Sequence, residues 1–150
     1  MAKEPHSSGR RAMMAVLAQA SQMELDGVVD RFAPLPPLED IRPPETGLCM
    51  LRGRIGGDGS PFNLGEATVT RAAVRLNDHI GVSYLLGRAP DRARAAALID
   101  ALWQDAAARP AVELALAAVR TRIEADRNRE AAATDSTRVE FFTLARGEDT

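Results

Sequence analysis

The sequence predicts an α+β fold in which helices pack beside a small antiparallel sheet of four strands. The 150 residues suit one domain. Apolar residues recur with helical spacing before residue 33 and again after residue 89, and strand-like runs separated by short turns lie between these segments. Helices that are separated from strands along the chain are typical of this class, and the predicted order is α-α-β-β-β-α-α-β.

The N-terminal region predicts two helices after a short polar segment. Residues 1–8 are polar and are expected to be disordered, and a first helix is expected from Gly9 to Ala20. Ser21 and Glu24 then form a capping-box pattern, in which the serine oxygen accepts a backbone N–H and the glutamate reaches back to the serine N–H. Apolar residues at helical spacing follow, so a second helix is expected there.

The middle of the chain predicts an antiparallel meander. Five prolines between residues 34 and 44 predict a stiff connector without regular structure. Three strands joined by two short turns are then expected, over residues 46–55, 64–76 and 82–88. The first turn is rich in glycine but lacks the Gly-Lys-Ser/Thr ending of a phosphate-binding loop, so we interpret it as a hairpin turn with positive φ.

A second helical region and a last strand complete the predicted fold. Pro90 suits the first turn of a helix, and Arg109-Pro110 ends that helix and begins another. Residues 126–135 are polar and rich in alanine, and we expect a fraying helix end there. The segment from Arg138 to Arg146 is apolar on both faces, which predicts a strand that is central or covered on both sides.

Composition and charge argue against several classes of protein. The chain is 45% hydrophobic and 27% charged, with a net charge of −2, so we expect no binding to DNA or to an anionic membrane. No apolar run is long enough for a membrane-spanning helix. Cys49 is the single cysteine and cannot form an internal disulfide, so a reducing cytoplasm is the expected compartment.

Arginine supplies eighteen of the nineteen basic residues, and several arginines lie on or at the ends of the predicted strands. The candidate phosphate-binding or partner-interface residues are Arg52, Arg54, Arg71, Arg75 and Arg88. If strands one and two pair through the turn, the first four could converge on one end or face, where their charges would need anions. Those anions could be carboxylates of this chain, acidic groups of a partner subunit, or a phosphate; solvated arginines are the remaining alternative.

Candidate catalytic residues are few. His6 lies in the N-terminal segment and His79 in a turn, and no second histidine or cysteine lies at metal-ligand spacing. Ser83 has only His79 nearby, and Cys49 is expected to be a buried small hydrophobic residue rather than a nucleophile. We therefore assign this chain no catalytic residue, no metal and no cofactor, because it lacks the features of a self-sufficient enzyme.

Several short motifs are spread over nearly the whole chain. They are Glu45-Thr46-Gly47-Leu48, Arg52-Gly53-Arg54-Ile55-Gly56-Gly57, the block from Gly65 to Leu76, Gly87-Arg88, the run from Leu98 to Leu102, and Val139-Glu140-Phe141-Phe142-Thr143 with Arg146-Gly147-Glu148. Together they resemble the PhnG family, small subunits of the bacterial carbon–phosphorus lyase system for phosphonate use. Ala89 departs from the family, which usually has an acidic residue after its Gly-Arg pair.

The resemblance implies a subunit rather than an independent enzyme. PhnG-like chains work beside the H, I and J subunits in a core assembly with two copies of each. With the H, I and L subunits they support a transferase reaction in which a phosphonate displaces adenine from the ribose C1′ of MgATP, giving ribose 1-phosphonate 5-triphosphate. The resemblance places the chemistry mainly in the I subunit, so it implies an accessory role here, with the arginine pairs binding a partner's acidic groups or the triphosphate.

Two other functions remain open from the residues alone. A free-standing anion- or nucleotide-binding module would be a stable monomer that binds ATP by itself through the arginine strands. A helix-turn-helix DNA binder could be built from residues 9–32, but the acidic Glu24, Asp26 and Asp30 of its second helix would repel phosphates. Formation of a homodimer by the isolated chain is also left open.

Overall fold

The computed structural model describes residues 5–137 and shows an α+β fold. Its elements are α1 (Pro5–Gln19), α2 (Gln22–Val29), a 3-10 turn (Asp30–Phe32), β1 (Leu38–Arg54), β2 (Pro61–Leu76), β3 (His79–Leu86), α3 (Pro90–Gln104) and α4 (Arg109–Ser136). The strands form one antiparallel sheet in the order β1-β2-β3, so the predicted fold class and the predicted meander are confirmed.

The sheet has three strands within residues 5–137, where four were predicted. The expected fourth strand, from Arg138 to Arg146, lies outside the described residues, as do residues 1–4. The described helices and strands follow the predicted order through α4, and the last predicted member lies outside the described residues. Helix α1 also begins at Pro5 rather than Gly9, so residues 5–8 are helical where disorder was expected.

The ends of the helices follow local signals in the sequence. The Ser21 hydroxyl accepts a hydrogen bond from the Glu24 N–H (3.3 Å), and the Ser21 N–H donates to the Glu24 carboxylate (2.8 Å), so the capping box is confirmed. Helix α4 continues to Ser136, and the fraying expected over 126–135 is wrong. Arg122 and Arg129 both form ion pairs with Asp126 along this helix, which stabilises its polar half.

Strand β1 begins at Leu38, so the prediction of an irregular proline connector is wrong from that residue onward. Pro43 and Pro44 are tolerated because β1 is an edge strand, where a missing N–H need not remove a hydrogen bond of the sheet. The pairing of β1 with β2 shifts register twice between residues 40 and 45, which accommodates the two prolines.

The helices pack on one face of the sheet, near the turn between β2 and β3. Alternate residues of β2 face the helices, and Ala72, Val74 and Leu76 are buried there. Helix α3 packs against both β2 and β3, and its residues 96–103 are all buried. The other helices surround α3 and contribute the buried residues Met13, Leu17, Leu25, Val28, Val112, Leu116, Val119 and Ile123.

Helix α3 contacts β3 directly at Gly81. A Cβ atom at this position would lie 1.9 Å from the Ala97 carbonyl oxygen and 2.5 Å from the Ala101 nitrogen. Nearby, the Ser83 hydroxyl donates to the Ala93 carbonyl at 2.6 Å. The absence of a side chain at Gly81 therefore sets the distance between the helix and the sheet.

The opposite end of the β1–β2 hairpin extends beyond the helices as a two-stranded ribbon. We name residues 46–66 the arm, and none of them is buried. Gly56 (φ 63°) and Gly57 (φ 86°) lie in its closing turn, which confirms the predicted hairpin turn. Cys49 is exposed on the arm. The prediction of a buried cysteine is wrong, because the strand at this point continues past the helices.

Candidate interaction surface

The arm carries a concentration of exposed apolar side chains. Twelve large hydrophobic residues are exposed within residues 5–137, and six of these lie on the arm: Leu48, Met50, Leu51, Ile55, Phe62 and Leu64. Their exposed fractions range from 39% to 74%. Monomeric soluble proteins rarely expose large contiguous apolar patches. Exposed apolar surface of this extent is typical of a site of protein–protein contact.

The arm also exposes backbone hydrogen-bonding groups, because β1 lies at the edge of the sheet. Only one edge of β1 is paired with β2, so alternate N–H and C=O groups along the other edge have no strand partner within the described chain. Pro43 and Pro44 interrupt this edge close to the helices, whereas the part from Thr46 to Arg54 contains no proline. This part of β1 is therefore open to pairing with another strand.

Arg71 and Arg75 form ion pairs across the sheet with residues of β1. Arg71 Nε donates to the Glu45 carboxylate at 2.6 Å, and Arg75 Nη1 donates to the Glu39 carboxylate at 2.9 Å. The hydrogen bond to Glu45 raises the pKa of Arg71 above its ordinary value. Of the anions considered from the sequence, carboxylates of the same chain thus account for this pair of arginines.

Arg52 and Arg54 lie near the tip of the arm, away from the first pair. Glu45 is opposite Arg71 in the register, and Arg52 is seven residues further along β1, roughly 23 Å away at about 3.3 Å per residue. The four arginines therefore do not converge. Arg54 Nη1 donates to the Gly59 carbonyl at 3.0 Å and braces the turn. Arg52 has no ion pair or side-chain hydrogen bond within residues 5–137.

Arg88 lies in the loop between β3 and α3. The buried Thr70 hydroxyl fixes this loop, because it donates to the Gly87 carbonyl at 2.7 Å and accepts the Ala89 N–H at 3.0 Å. Gly87 has a φ of 82°, which favours glycine at this position. Arg88 is exposed to solvent and forms no ion pair with the part of the chain that is described.

Asp100 is a buried charged residue that the sequence analysis did not single out. Its two oxygens accept hydrogen bonds from Arg10 Nε (2.9 Å) and Nη2 (2.7 Å), and Oδ2 also accepts the Val82 N–H at 2.9 Å. The hydrogen bond to Asp100 raises the pKa of Arg10 above its ordinary value. These bonds join α1, α3 and β3. An aspartate within the apolar run from Leu98 to Leu102 was the only sequence signal for this cluster.

A second charged cluster lines an open groove of about 510 Å³ beside the C-terminal end of α1. Arg92 and Arg122 each donate to one of the last carbonyls of α1 at 3.1 Å. Arg122 Nε also donates to Glu24 at 2.6 Å, and this hydrogen bond lowers the pKa of Glu24 to about 2. The cluster therefore connects helices, and Arg122 is already neutralised by carboxylates.

No arrangement of catalytic groups is found within residues 5–137. Ser83 is used in the core, and no group of three or more side chains suited to holding a metal ion occurs in this range. The helices in the described part of the chain are also too short or too polar to cross a membrane. The arm is thus the feature of the structure that most resembles a functional surface.

Two comparisons with known proteins agree with each other. A family model described as "Phosphonate metabolism protein PhnG" matches residues 8–147. A relative from Rhizobium meliloti (strain 1021), named alpha-D-ribose 1-methylphosphonate 5-triphosphate synthase subunit PhnG, is 50% identical over 141 residues, which cover 93% of this chain and 90% of the relative. The range that the family model matches includes the helices, the sheet and the arm.

Proposed function

The chain belongs to the PhnG family of phosphonate metabolism proteins, and we propose that it is an accessory subunit of a phosphonate-processing synthase. The observation that carries this proposal is the likeness, over 93% of the chain, to a relative named as a synthase subunit. Other subunits of such a complex are its partners. The arm supports the proposal, because its exposed apolar residues have the chemistry of a contact between subunits.

The reaction that we propose this subunit supports is a transfer to the ribose of MgATP. A phosphonate oxygen bonds to C1′ while the N-glycosidic bond to adenine breaks, and adenine leaves with the electron pair of that bond and takes up a proton. MgATP is then a substrate of the complex and not a cofactor of this chain. We further propose that the chain works in the cytoplasm beside the H, I and J subunits, two copies of each, and with the L subunit for the transfer.

The distribution of charge supports a contact with a partner more than a contact with the triphosphate. A phosphate group at Arg71 or Arg75 would have to displace a carboxylate that is already within 2.9 Å. Arg52 and Arg88 have no such partner within residues 5–137. We propose that these two arginines meet acidic groups of other subunits, since buried arginine is well suited to pairing with carboxylates at interfaces.

The proposal is tested by producing the tagged chain together with the candidate subunits and measuring adenine release from MgATP in the presence of a phosphonate. We expect stoichiometric recovery of the other subunits, no adenine release by the chain alone, and at least a tenfold loss of release when only this chain is omitted. A lone monomer that binds ATP and releases adenine would contradict the accessory role. Unchanged release after omission of the chain would contradict it as well.

A further inference from the structure

We propose that another subunit of the synthase pairs an extended strand with the free edge of β1 over residues 46–54, which would add a strand to the arm. This inference rests on the proposed function and names the surface through which the chain joins the complex. The occupant is an extended segment with apolar side chains on both faces and with a carboxylate that meets Arg52.

The apolar residues of the arm require a partner that reaches both of its faces. Successive side chains of a strand point to opposite faces, so Leu48 and Met50 share one face of β1, while Leu51 lies on the other. All three are exposed. A flat surface docked on one face would leave the other uncovered. A strand added at the edge presents its own side chains to both faces and also satisfies the open backbone groups.

The free edge of β1 has the length and the composition that such pairing needs. Residues 46–54 would span about 30 Å at about 3.3 Å per residue, longer than a typical strand. An edge that is not used for pairing is commonly blocked by proline or by charge. Here the prolines end at Pro44, and Arg52 and Arg54 are the only charged residues beyond Glu45 on β1.

The charges on β1 favour a different subunit over a second copy of this chain. The strand has three carboxylates, and each already forms an ion pair: Glu39 with Arg75, Asp40 with Arg94, and Glu45 with Arg71. A second copy that paired through its own β1 would therefore bring another Arg52 but no free carboxylate on that strand. A partner strand with an acidic residue would neutralise Arg52 in the contact.

The test compares two double variants within the co-produced complex. L48E together with L51E places one charge on each face of the arm, and M23E together with L114E places the same charges at exposed hydrophobic residues on helices. We expect the arm variant to recover at least tenfold less of the other subunits than the wild type, and the helix variant to recover normal amounts. Both variants should unfold at the wild-type denaturant concentration, because none of the four side chains is buried.

Retention of the other subunits by a folded arm variant would overturn the inference and leave the proposed function intact. Failure of the wild-type chain to recover any subunit would instead count against the proposed function. An arm variant that unfolds is replaced by the single variant M50E, which keeps Leu48 and Leu51 and is judged by the same recovery of subunits.

Hydrogen exchange separates pairing at the edge from contact with a face. In the complex, we expect the amides of residues 46–54 to exchange at least tenfold more slowly than in the lone chain, and Cys49 to react more slowly with an alkylating reagent. Slower exchange confined to residues 61–66 of β2 would overturn the inference. Slow exchange of residues 46–54 already present in the lone chain would also overturn it, because the occupant would then be a second copy or residues 138–146 of the same chain.

Discussion

The two ends of the β1–β2 hairpin place similar strands in different surroundings. One end lies under the helices, and we name residues 70–76 of β2, together with β3 and α3 that pack on them, the base. Alternate residues of β2 from Thr70 to Leu76 are buried there. In the arm, Leu48, Met50 and Leu64 are as apolar as the residues of the core, but all three are exposed. The base thus holds its side chains by burial, whereas the arm leaves comparable side chains in contact with water.

This difference separates residues that stabilise the fold from residues that are free to serve assembly. Polar groups at the base are buried and bonded, as Thr70, Ser83 and Asp100 show. Substitutions at the base are therefore expected to lower the free energy of unfolding. Substitutions in the arm should change it little, because no residue of the arm is buried.

Among the variants that compare the base with the arm, we expect the largest loss of stability at Gly81 in the base. In Gly81→Ala the new methyl group would overlap the backbone of α3, so we expect the free energy of unfolding to fall by about 3 kcal/mol or more. Gly47→Ala is the matched control in the arm, where nothing lies within 4 Å, and its change should stay below about 1 kcal/mol. Denaturant unfolding of both variants measures the difference. Equal stability of the two would mean that α3 does not rest on β3.

Asp100 tests whether a buried ion pair is needed at the base. Asp100→Asn leaves the Arg10 guanidinium without its carboxylate, and we expect a loss of about 2–4 kcal/mol. Asp40→Asn is the control, because it removes a partly exposed ion pair with Arg94 and should cost about 1 kcal/mol or less. The same unfolding measurement applies. Similar losses of stability in the two variants would show that the buried ion pair stabilises the fold no more than the exposed one.

Thr70 and Thr68 lie on either side of the junction between the base and the arm, and their variants test where the junction falls. Thr70→Val keeps the shape of the side chain but removes the bonds to Gly87 and Ala89, so we expect a loss of about 1–2 kcal/mol. Thr68→Val changes a half-buried residue two positions toward the arm and should change stability by about 0.5 kcal/mol or less. A larger loss at Thr68 than at Thr70 would contradict this boundary.

The pH dependence of stability reports on Glu24, which lies outside both ends of the hairpin. Arg122 lowers the pKa of Glu24 from 4.5 to about 2, so the folded state favours the charged carboxylate. Its stabilisation is present above about pH 4.5 and is lost as the pH falls toward 2. At pH 7 we expect the melting temperature of the wild type to be about 2–4 °C higher than that of Glu24→Gln. This gap should close at low pH, and a constant gap would contradict the ion pair.

The smallest expected effect is at Arg71, on the sheet face that the helices do not cover. Its ion pair with Glu45 is exposed, so Arg71→Ala should change the melting temperature by less than about 2 °C. Arg75→Ala is the companion variant, because Arg75 also forms an exposed ion pair, with Glu39. If either variant lost as much stability as Asp100→Asn, the exposed face of the sheet would stabilise the fold as much as the buried base does.

Local signals predicted the elements of this fold better than they predicted its surface. The capping box at Ser21, the start of α3 at Pro90 and the glycine turn at Gly56 were all predicted and are confirmed. The start of β1 was predicted wrongly, because prolines argue against a strand unless its edge is free. Edge position depends on the whole sheet and cannot be read from the segment itself.

The spacing of the candidate arginines also depends on the whole sheet and could not be predicted from their own segments. The sequence placed Arg52 and Arg71 on neighbouring strands, but their separation depends on the register, which brings Glu45 opposite Arg71 and leaves Arg52 near the tip. Asp100 could not be assigned a partner, since Arg10 lies ninety residues away along the chain. Contacts of that kind form only when distant helices pack together.

The fold class, the meander and the ends of most helices can be predicted from the amino-acid sequence, because these depend on periodicity and on residues a few positions apart. The resemblance to the PhnG family also came from the sequence alone, and the comparisons confirm the family. Which side chains are buried depends instead on how the helices pack on the sheet. Periodicity shows which side chains share a face of a strand. Only the placement of α3 over one end of that face makes Val74 part of the core and leaves Leu48 exposed.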